Sequence, residues 1–221
     1  MPKLPPLEDR QRDRGRRTFL TWIDQAPATI DLQVTGGLIA HYRDRGPVRI
    51  ETRRLPDGKP SPAQGQVPPD GKPRKVTLRF EQPGLFEVAA DDGHDCTQID
   101  WPEGVYRTIE FSSVSSPEAG MRRSGYFYVP RGTQVVAGYC GGAGTLCTAE
   151  GQIVLKFPEK PNYFSARVPP GQDGRLWAFR NCSAEMILMT VPPFAASSPA
   201  ELLLPREVVQ AEVDFSRRVS R

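Results

Sequence analysis

The sequence lacks the residue patterns on which most catalytic sites depend. It has only two histidines, His41 and His94, and neither Gly-x-Ser-x-Gly nor His-Glu-x-x-His occurs. Cys96 stands two positions from His94 and would share a strand face with it, but no third group is at hand to orient the base. We therefore predict a protein without an active site of its own.

Long apolar runs and a strong excess of charge of one sign are also missing. No run of about 18 apolar residues occurs, which predicts that no helix spans a membrane. The formal net charge is +3, which argues against a nucleic-acid binder. Residues 1–6 lead into charged residues without an apolar segment, unlike a signal peptide. We expect the chain to be part of a longer secreted protein.

Cysteines are few, and the absence of a Cys-x-x-Cys pair argues against a structural zinc site. Cys140 and Cys147 flank a glycine-rich stretch that we interpret as a hairpin tip. Cα atoms across an antiparallel pair lie about 5.5 Å apart, which suits a disulfide. The pair is therefore a candidate disulfide, with two free thiols as the alternative. Cys96 and Cys182 are candidates for a second bridge.

Proline and glycine are abundant, with 23 and 20 residues. Together with 38% hydrophobic residues they indicate a folded chain with many turns and few long helices. Short segments of alternating apolar and polar residues predict β-strands. The predicted strands are 29–34, 48–52, 76–80, 84–89, 126–130, 134–139, 151–157, 164–168, 175–180 and 186–191. The expected fold is all-β, with one or two antiparallel, jelly-roll-like β-sandwich units and a short C-terminal helix.

The two halves of the chain repeat an order of parts. Val67-Pro68-Pro69-Asp70-Gly71 in the first half has a counterpart in Val168-Pro169-Pro170-Gly171 in the second. This predicts a duplicated unit of about 90 residues, the size of a small β-sandwich; one sandwich with a long insertion is the alternative. The predicted organisation is a basic arm at 1–17, sandwich units at 18–103 and 104–195, and a helical tail at 196–221.

Both ends of the chain carry clustered arginines. We interpret the arm at 1–17 as a solvated tether, because acidic residues are interspersed and no aromatic residues accompany it; contact with phosphate is the alternative. Near the other end, Ser198-Pro199-Ala200-Glu201 has the pattern of a capping box. A helix is expected from Arg206 to about Phe215. It would cover a sandwich edge or dock on a partner.

A polar loop carries the candidates for metal or carboxylate chemistry. Asp91, Asp92 and Asp95 lie close together in sequence, with Asp100 and Glu103 following. Such a loop could bind Ca²⁺ through oxygen ligands, or supply the paired carboxylates of a small carbohydrate-active enzyme. The alternative is a solvated turn, since Asp and Gly favour turns.

Four aromatic residues are candidates for binding a ligand. Sandwich proteins that bind sugars use exposed aromatic faces together with a few polar groups. The candidates are Trp101, Trp22, Tyr139 and Tyr163, each with packing in the core as the alternative. Trp177 lies in an apolar strand and is expected to be core.

Several stretches of the second half resemble known bacterial modules. Those that carry the likeness are 125–133, 168–177, 181–182 and 191–194. The Phe-Tyr-Val-Pro and Gly-Thr pattern at 127–133 resembles pre-peptidase C-terminal-like domains. The stretch Pro170-Gly-Gln-Asp-Gly-Arg-Leu-Trp177 and the later Leu-Leu-Leu-Pro-Arg-Glu-Val-Val are similar to C-terminal modules of large secreted bacterial glycoside hydrolases.

This resemblance implies a jelly-roll sandwich that is accessory to a secreted bacterial hydrolase, with no catalytic residue to carry over. We expect support of a catalytic partner, with a polysaccharide or the parent hydrolase as the binding partner. The alternative is a structural or interaction subunit of a larger assembly, held by the basic arm and the C-terminal helix.

Overall fold

The computed structural model describes residues 12–56, 58, 64–110 and 122–219, with side chains up to residue 213. The described chain consists mainly of antiparallel strands, which confirms the all-β fold class. The strands of the first half are β1 (Arg12–Asp13), β2 (Arg17–Ile23), β3 (Ala28–Thr35), β4 (Val48–Arg54), β5 (Gly65–Val67), β6 (Arg74–Phe80), β7 (Gly84–Asp91), β8 (Thr97–Asp100) and β9 (Thr108–Glu110).

The second half continues in the same manner. Its strands are β10 (Arg123–Val129), β11 (Val135–Cys140), β12 (Gly144–Cys147), β13 (Ile153–Phe157), β14 (Asn162–Arg167), β15 (Arg175–Cys182), β16 (Met186–Leu188) and β17 (Phe194–Ala196). Short 3-10 turns occupy Ala40–Arg45 and Pro199–Glu201, and the one α-helix among the described residues, α1, runs over Arg206–Val219.

Alternating side chains decide which face of each strand is buried. In β3, Ile30, Leu32 and Val34 point into the interior while Asp31 and Gln33 are exposed. This is the period of two that a strand with one buried face requires. All ten predicted strands overlap observed ones, although the last of them ends at Leu188 rather than at Val191.

The strands form three sheets. A ten-stranded sheet, here called the shared sheet, has the order β13-β12-β15-β10-β17-β9-β2-β7-β4-β5. A four-stranded sheet, the first outer sheet, has the order β1-β8-β3-β6, and a three-stranded sheet, the second outer sheet, has the order β14-β11-β16.

The topology of the two halves is the same. Adding eight to each strand number converts the first half of the shared sheet, β9-β2-β7-β4-β5, into the second half, β17-β10-β15-β12-β13. The same rule converts β8-β3-β6 of the first outer sheet into β16-β11-β14. Within each set of eight strands the first pairs with the last and the second with the seventh, the nested pairing of a jelly roll. We call these sets the first unit (β2–β9) and the second unit (β10–β17).

Each unit encloses its own hydrophobic core. One cluster of buried side chains extends from Phe19 to Ile109, and the other from Phe127 to Ala195. The units join edge to edge, because β17 pairs with β9 through Phe194 opposite Glu110 and Ala195 opposite Ile109. The first core thus extends beyond the predicted boundary at 103–104.

The N-terminal arm differs from its prediction. Residues 1–11 lie outside the described residues, but β1 pairs with β8, and Asp13 and Arg17 are buried. Asp13 forms an ion pair with Arg123 of the second unit, whose side chain is only 1% exposed. Residues 12–17 are therefore part of the folded body and not a solvated tether. β2 was not predicted from the sequence, because the polar residue Thr21 occupies one of its inward positions and interrupts the alternation of apolar and polar residues.

The C-terminal segment crosses the junction of the two units. The Thr108 hydroxyl donates to the Glu201 carbonyl at 3.0 Å, and the Leu203 N–H donates to the Thr108 hydroxyl at 2.6 Å. The predicted helix from Arg206 is present. The capping box is not formed, since Ser198 makes no side-chain cap and its segment is a 3-10 turn. Within the described part of the chain, no helix is both long enough and apolar enough to cross a membrane.

Candidate functional site

The outer face of the second outer sheet carries several apolar side chains, of which Tyr163 and Met189 are exposed. Because Val136, Gly138 and Cys140 of β11 point into the core, the alternate residues point outward. Strand register places Tyr163 and Ile187 on either side of Tyr139. The apolar residues of this surface, called the apolar face below, are Val135, Ala137, Tyr139, Tyr163, Ile187 and Met189; Ser165 and Arg167 of β14 lie among them, opposite Ala137 and Val135.

Two of the predicted aromatic residues meet on this face. Tyr139 and Tyr163 are directly opposite in the register of β11 and β14, and their ring centroids are 5.3 Å apart at an angle of 61°. Tyr163 is 70% exposed, and Met189 at the other side of the sheet is 55% exposed. The exposed Tyr163 ring beside the half-buried Tyr139 ring offers an aromatic surface, which suits ligands with apolar faces.

A groove of about 530 Å³ adjoins the apolar face. Its wall includes Val135 and Arg167. These two residues form the last pair at one end of the β11–β14 ladder. Gln134, Thr133 and Asp173 supply polar groups to the groove. Its volume is within the range of about 300–1,000 Å³ typical of small-molecule sites.

The equivalent face of the first unit is polar. On β3, β6 and β8 the outward residues include Asp31, Lys75 and Gln98. Lys75 forms an ion pair with Asp31 at 2.8 Å, and the Thr77 hydroxyl donates to Asp31 at 2.6 Å, which lowers the pKa of the Asp31 carboxyl. Two units with the same topology thus differ in the chemistry of this face. The fold itself does not require aromatic residues there.

The two predicted tryptophans lie elsewhere. Trp101 is packed against the first core, with its ring centroid 5.3 Å from that of Phe19. Trp22 is 44% exposed on the outward side of β2 in the shared sheet, and its indole N–H donates to Asp24 at 2.7 Å. The structure therefore brings together Tyr139 and Tyr163 but neither tryptophan.

Asp92 of the acidic loop has a structural role, because it binds the N-terminal segment. Asp92 is 1% exposed and accepts hydrogen bonds from the Gly15 N–H at 2.6 Å, the Thr97 hydroxyl at 2.9 Å and the guanidinium of Arg17 at 3.3 Å. Both carboxylate oxygens are thereby engaged in fixing the N-terminal segment to the first unit. This explains why a carboxylate is buried in a chain where burial of an unpaired charge is costly.

The other two candidate metal ligands accept hydrogen bonds from backbone groups that Asp92 does not contact. Asp95 is buried and accepts from the Ile39 N–H at 3.3 Å, while Asp91 is exposed and accepts from the Gly93 N–H at 3.0 Å. Within the described ranges, no group of three or more His, Cys, Asp or Glu side chains is placed to hold a metal ion. Asp91, Asp92 and Asp95 therefore do not converge into the calcium site considered from the sequence.

The two histidines lie at the surface of the first unit. His94 is exposed with φ of 68°, and its carbonyl accepts from Arg14 at 3.0 Å and from Arg45 at 2.5 Å. The His41 ring lies 4.0 Å from that of Tyr42. Cys96 is fully buried, so it is not an accessible partner for His94.

The predicted hairpin between Cys140 and Cys147 is not formed. Cys140 ends β11 in the second outer sheet, whereas Cys147 ends β12 in the shared sheet. The glycine-rich stretch between them is a crossover from one sheet to the other. All four cysteines are buried free thiols. Cys140 and Cys147 therefore do not face each other across an antiparallel strand pair, and the predicted disulfide between them is not formed.

Sequence reasoning missed Ile187, Met189 and Arg167 as members of the candidate site. The apolar Met186–Val191 segment was recognised as a strand, but a short run of this kind does not reveal which side chains face outward. No family model matches the chain, and no curated protein or solved structure matches it.

Proposed function

We propose that this chain is a non-catalytic accessory module that binds a polysaccharide on the apolar face and in the adjoining groove. The observation that carries the proposal is the Tyr139–Tyr163 pair, in which a half-buried Tyr139 ring packs against a Tyr163 side chain that is 70% exposed. An aromatic surface of this kind beside polar groups suits a ligand with apolar and polar faces. Sugar rings offer C–H groups to the aromatic surface and hydroxyls to polar groups nearby.

The groove supplies the polar part of the site. Arg167 and Gln134 offer donors, and the Asp173 carboxylate, which accepts from the Gly132 N–H at 2.8 Å, offers an acceptor. A few such groups beside an aromatic surface fix the orientation of a ligand. The resemblance to accessory modules of secreted bacterial hydrolases agrees with this function and is part of the proposal.

A panel of soluble and insoluble polysaccharides tests the proposal by affinity electrophoresis and pull-down with the full chain. We expect Tyr163→Ala to weaken binding at least roughly fivefold, the loss of about 1 kcal/mol that marks an energetically important contact. Trp22→Ala is the matched control, because Trp22 is also exposed but lies on the shared sheet of the other unit. Absence of binding across the panel, or equal losses in the two variants, contradicts the proposal.

A second candidate function is that of an interaction subunit held through α1. Val209 and Val213 are one turn apart on this helix and are 49% and 40% exposed. Glu212 meanwhile ties the helix to the second unit through Arg131 at 2.8 Å. The helix is thus anchored with an apolar stripe facing outward. Co-purification with a larger polypeptide that Val209→Glu abolishes and Tyr163→Ala preserves favours this function over sugar binding.

A further inference from the structure

The connection between β3 and β4 is much longer than its equivalent in the second unit. It spans residues 36–47, whereas the connection between β11 and β12, which occupies the same place in the repeated order of strands, spans only 141–143. The extra residues include the 3-10 turn Ala40–Arg45. The fold does not require them, because the second unit closes without them. Additional loop residues on a rigid scaffold are a common location for binding groups.

Two guanidinium groups pack on the ring of Tyr42, which lies in this turn and is half-buried. The Cζ atom of Arg45 lies 3.5 Å from the centroid of the ring, and the Cζ atom of Arg14 lies 4.9 Å from it. Arg14 belongs to the N-terminal segment between β1 and β2, so the ring joins two segments that are distant in sequence. Attraction between the cations and the aromatic ring holds both guanidinium groups in place. We call these two residues the arginine pair.

A single carbonyl group also binds both members of the arginine pair. The His94 carbonyl accepts from Nη2 of Arg14 at 3.0 Å and from Nη1 of Arg45 at 2.5 Å. Nε of Arg14 donates in addition to the Asp95 carbonyl at 3.1 Å. The loop packs closely against the turn, because a Cβ at Gly93 would lie 3.0 Å from the Arg45 carbonyl oxygen. Two nitrogens bound to one oxygen are no farther apart than two hydrogen-bond lengths, so the two positive charges are adjacent.

No carboxylate in the described part of the chain lies within ion-pair distance of Arg14 or Arg45. The statement includes the four carboxylates of the turn and the adjacent loop, which are Asp44, Asp91, Asp92 and Asp95. A neutral carbonyl and a neutral ring are therefore the groups that hold the two cations together. Like charges at this distance repel each other, and an anion that contacts both removes the repulsion.

We propose that Arg14 and Arg45 bind one tetrahedral oxyanion, the chemistry that free sulfate or phosphate shares with a sulfate ester on a polysaccharide. Guanidinium groups offer planar sets of N–H donors that match anionic oxygens, and the resulting hydrogen bonds are charge-assisted. The formal net charge of only +3 favours a site for one anion over a surface that follows a nucleic acid. The arginine pair belongs to the first unit, so this site is separate from the apolar face and does not depend on sugar binding there.

Arg43 provides a matched control for the arginine pair. It is an exposed residue of the same 3-10 turn, but its Nε donates to the Gly37 carbonyl at 3.0 Å. A Cβ at Gly71 would lie 3.0 Å from its Nη2, so this guanidinium faces the loop at 68–73. Arg43→Gln removes the same charge from the same turn as Arg45→Gln. A difference in anion binding between the two variants therefore measures direct contact and not net charge.

The experiment titrates sodium sulfate, and separately sodium phosphate, into the full chain, with sodium chloride at matched ionic strength as the reference. NMR follows the arginine Nε–H signals. We expect saturable shifts for the arginine pair and at least roughly tenfold weaker binding in Arg14→Gln and in Arg45→Gln, because each loses charge-assisted hydrogen bonds. Arg43→Gln should stay within about twofold of the parent, because salt screens a charge without direct contact. Thermal denaturation checks the fold of each variant; if Arg14→Gln unfolds, the exposed Arg45 decides the test.

Dextran sulfate and neutral dextran then distinguish the two sources of the anion. Tighter binding of dextran sulfate than of sodium sulfate, lost in Arg45→Gln, identifies a sulfate ester on a polysaccharide. Binding of the inorganic ions without a gain for dextran sulfate identifies the free ion. Equal responses to sulfate and chloride, or equal losses in Arg43→Gln and Arg45→Gln, overturn the proposal. A response to dextran sulfate with none to the inorganic ions also overturns it, because it reports attraction of a polyanion without a site for one oxyanion.

Discussion

Arg17 and Asp92 form an ion pair whose side chains are 3% and 0% exposed. Two charges removed from water are tolerated only when hydrogen bonds compensate for lost solvation. Here the Gly15 N–H and the Thr97 hydroxyl complete the surroundings of the carboxylate. The residue that looked like a metal ligand in the sequence is thus a structural anchor for the N-terminal segment.

Replacing Asp92 with Asn should destabilise the protein strongly. Removing one member of a buried ion pair leaves the Arg17 charge uncompensated, and such changes cost about 3–5 kcal/mol. Chemical denaturation measures the change in the free energy of unfolding. Asp91→Asn is the control, because Asp91 is exposed and surface substitutions usually change stability by less than about 0.5 kcal/mol. Similar losses in both variants would contradict the assignment.

Asp70 offers a test of electrostatics at the surface. The guanidinium of Arg74, bonded to both carboxylate oxygens at 2.8 Å, and the Lys72 N–H lower the pKa of Asp70 from 3.8 to about 2. Since the folded-state pKa is lowered, the carboxylate favours folding above its unfolded pKa, and this contribution disappears as pH falls towards about 2. NMR titration should show a midpoint near 2 that moves towards 3.8 in Arg74→Gln; an unchanged midpoint in that variant would refute the pairing.

At the scale of elements, close packing between β11 and β16 determines how the apolar face is presented. Gly138 lies opposite Leu188, and a Cβ there would lie 2.0 Å from the Ile187 carbonyl oxygen and 3.0 Å from the Phe164 ring. The glycine is required because backbone and aromatic ring leave no space for a methyl group. Tyr139 and Ile187 depend on this approach for their relative position.

Gly138→Ala is therefore expected to lower the free energy of unfolding by about 1–3 kcal/mol or more, the usual cost of overpacking. It should also reduce any ligand binding at the apolar face, because β16 must move away from β11. Ala137→Ser is a control on the same strand whose side chain points outward. If calorimetry gives Gly138→Ala and Ala137→Ser the same Tm, β16 can move away from β11 without loss of stability, and the proposed overpacking is wrong.

The whole molecule is two copies of one eight-stranded arrangement joined at their β9 and β17 edges. Pairing of these edges removes two exposed strand edges, which are otherwise sites of aggregation. The segment that ends in α1 covers the junction, and Asp13 joins the first unit to Arg123 of the second. The two cores are separate, but the sheet between them is continuous.

A continuous sheet and a buried ion pair between the units predict one cooperative unfolding transition. Asp13→Asn should lower stability by about 3–5 kcal/mol, because it leaves the Arg123 charge buried beside a neutral group. In calorimetry Asp13→Asn should unfold at a lower temperature than the parent protein. If its unfolding separates into two transitions, the Asp13–Arg123 pair couples the two units. Asp24→Asn, at an exposed position of the first unit, is the control; a variant as stable as the parent would contradict the role of Asp13.

The all-β class, ten strands and the start of α1 could be predicted from the sequence alone, because alternation and turn residues act over a few neighbouring positions. It also indicated a duplication, and the order of strands repeats, but not in the predicted correspondence: Val67 ends β5 whereas Val168 follows β14, and these two strands are not equivalent in the repeat. Tyr139 and Tyr163 could be selected as candidates, but their contact depends on a register between strands that are distant in sequence.

The roles of Asp92, Arg17 and the cysteines depend on contacts between segments that are distant in sequence. From the sequence, Asp92 was interpreted as a loop residue. Its partners Gly15 and Arg17 are 75 or more positions away, and local sequence does not show that they contact it. The glycine-rich stretch between Cys140 and Cys147 was predicted to be a hairpin, because local sequence does not distinguish a turn within one sheet from a connection between two sheets. Long-range pairing is decided by the burial of whole faces, and this is why Cys140 and Cys147 lie in different sheets.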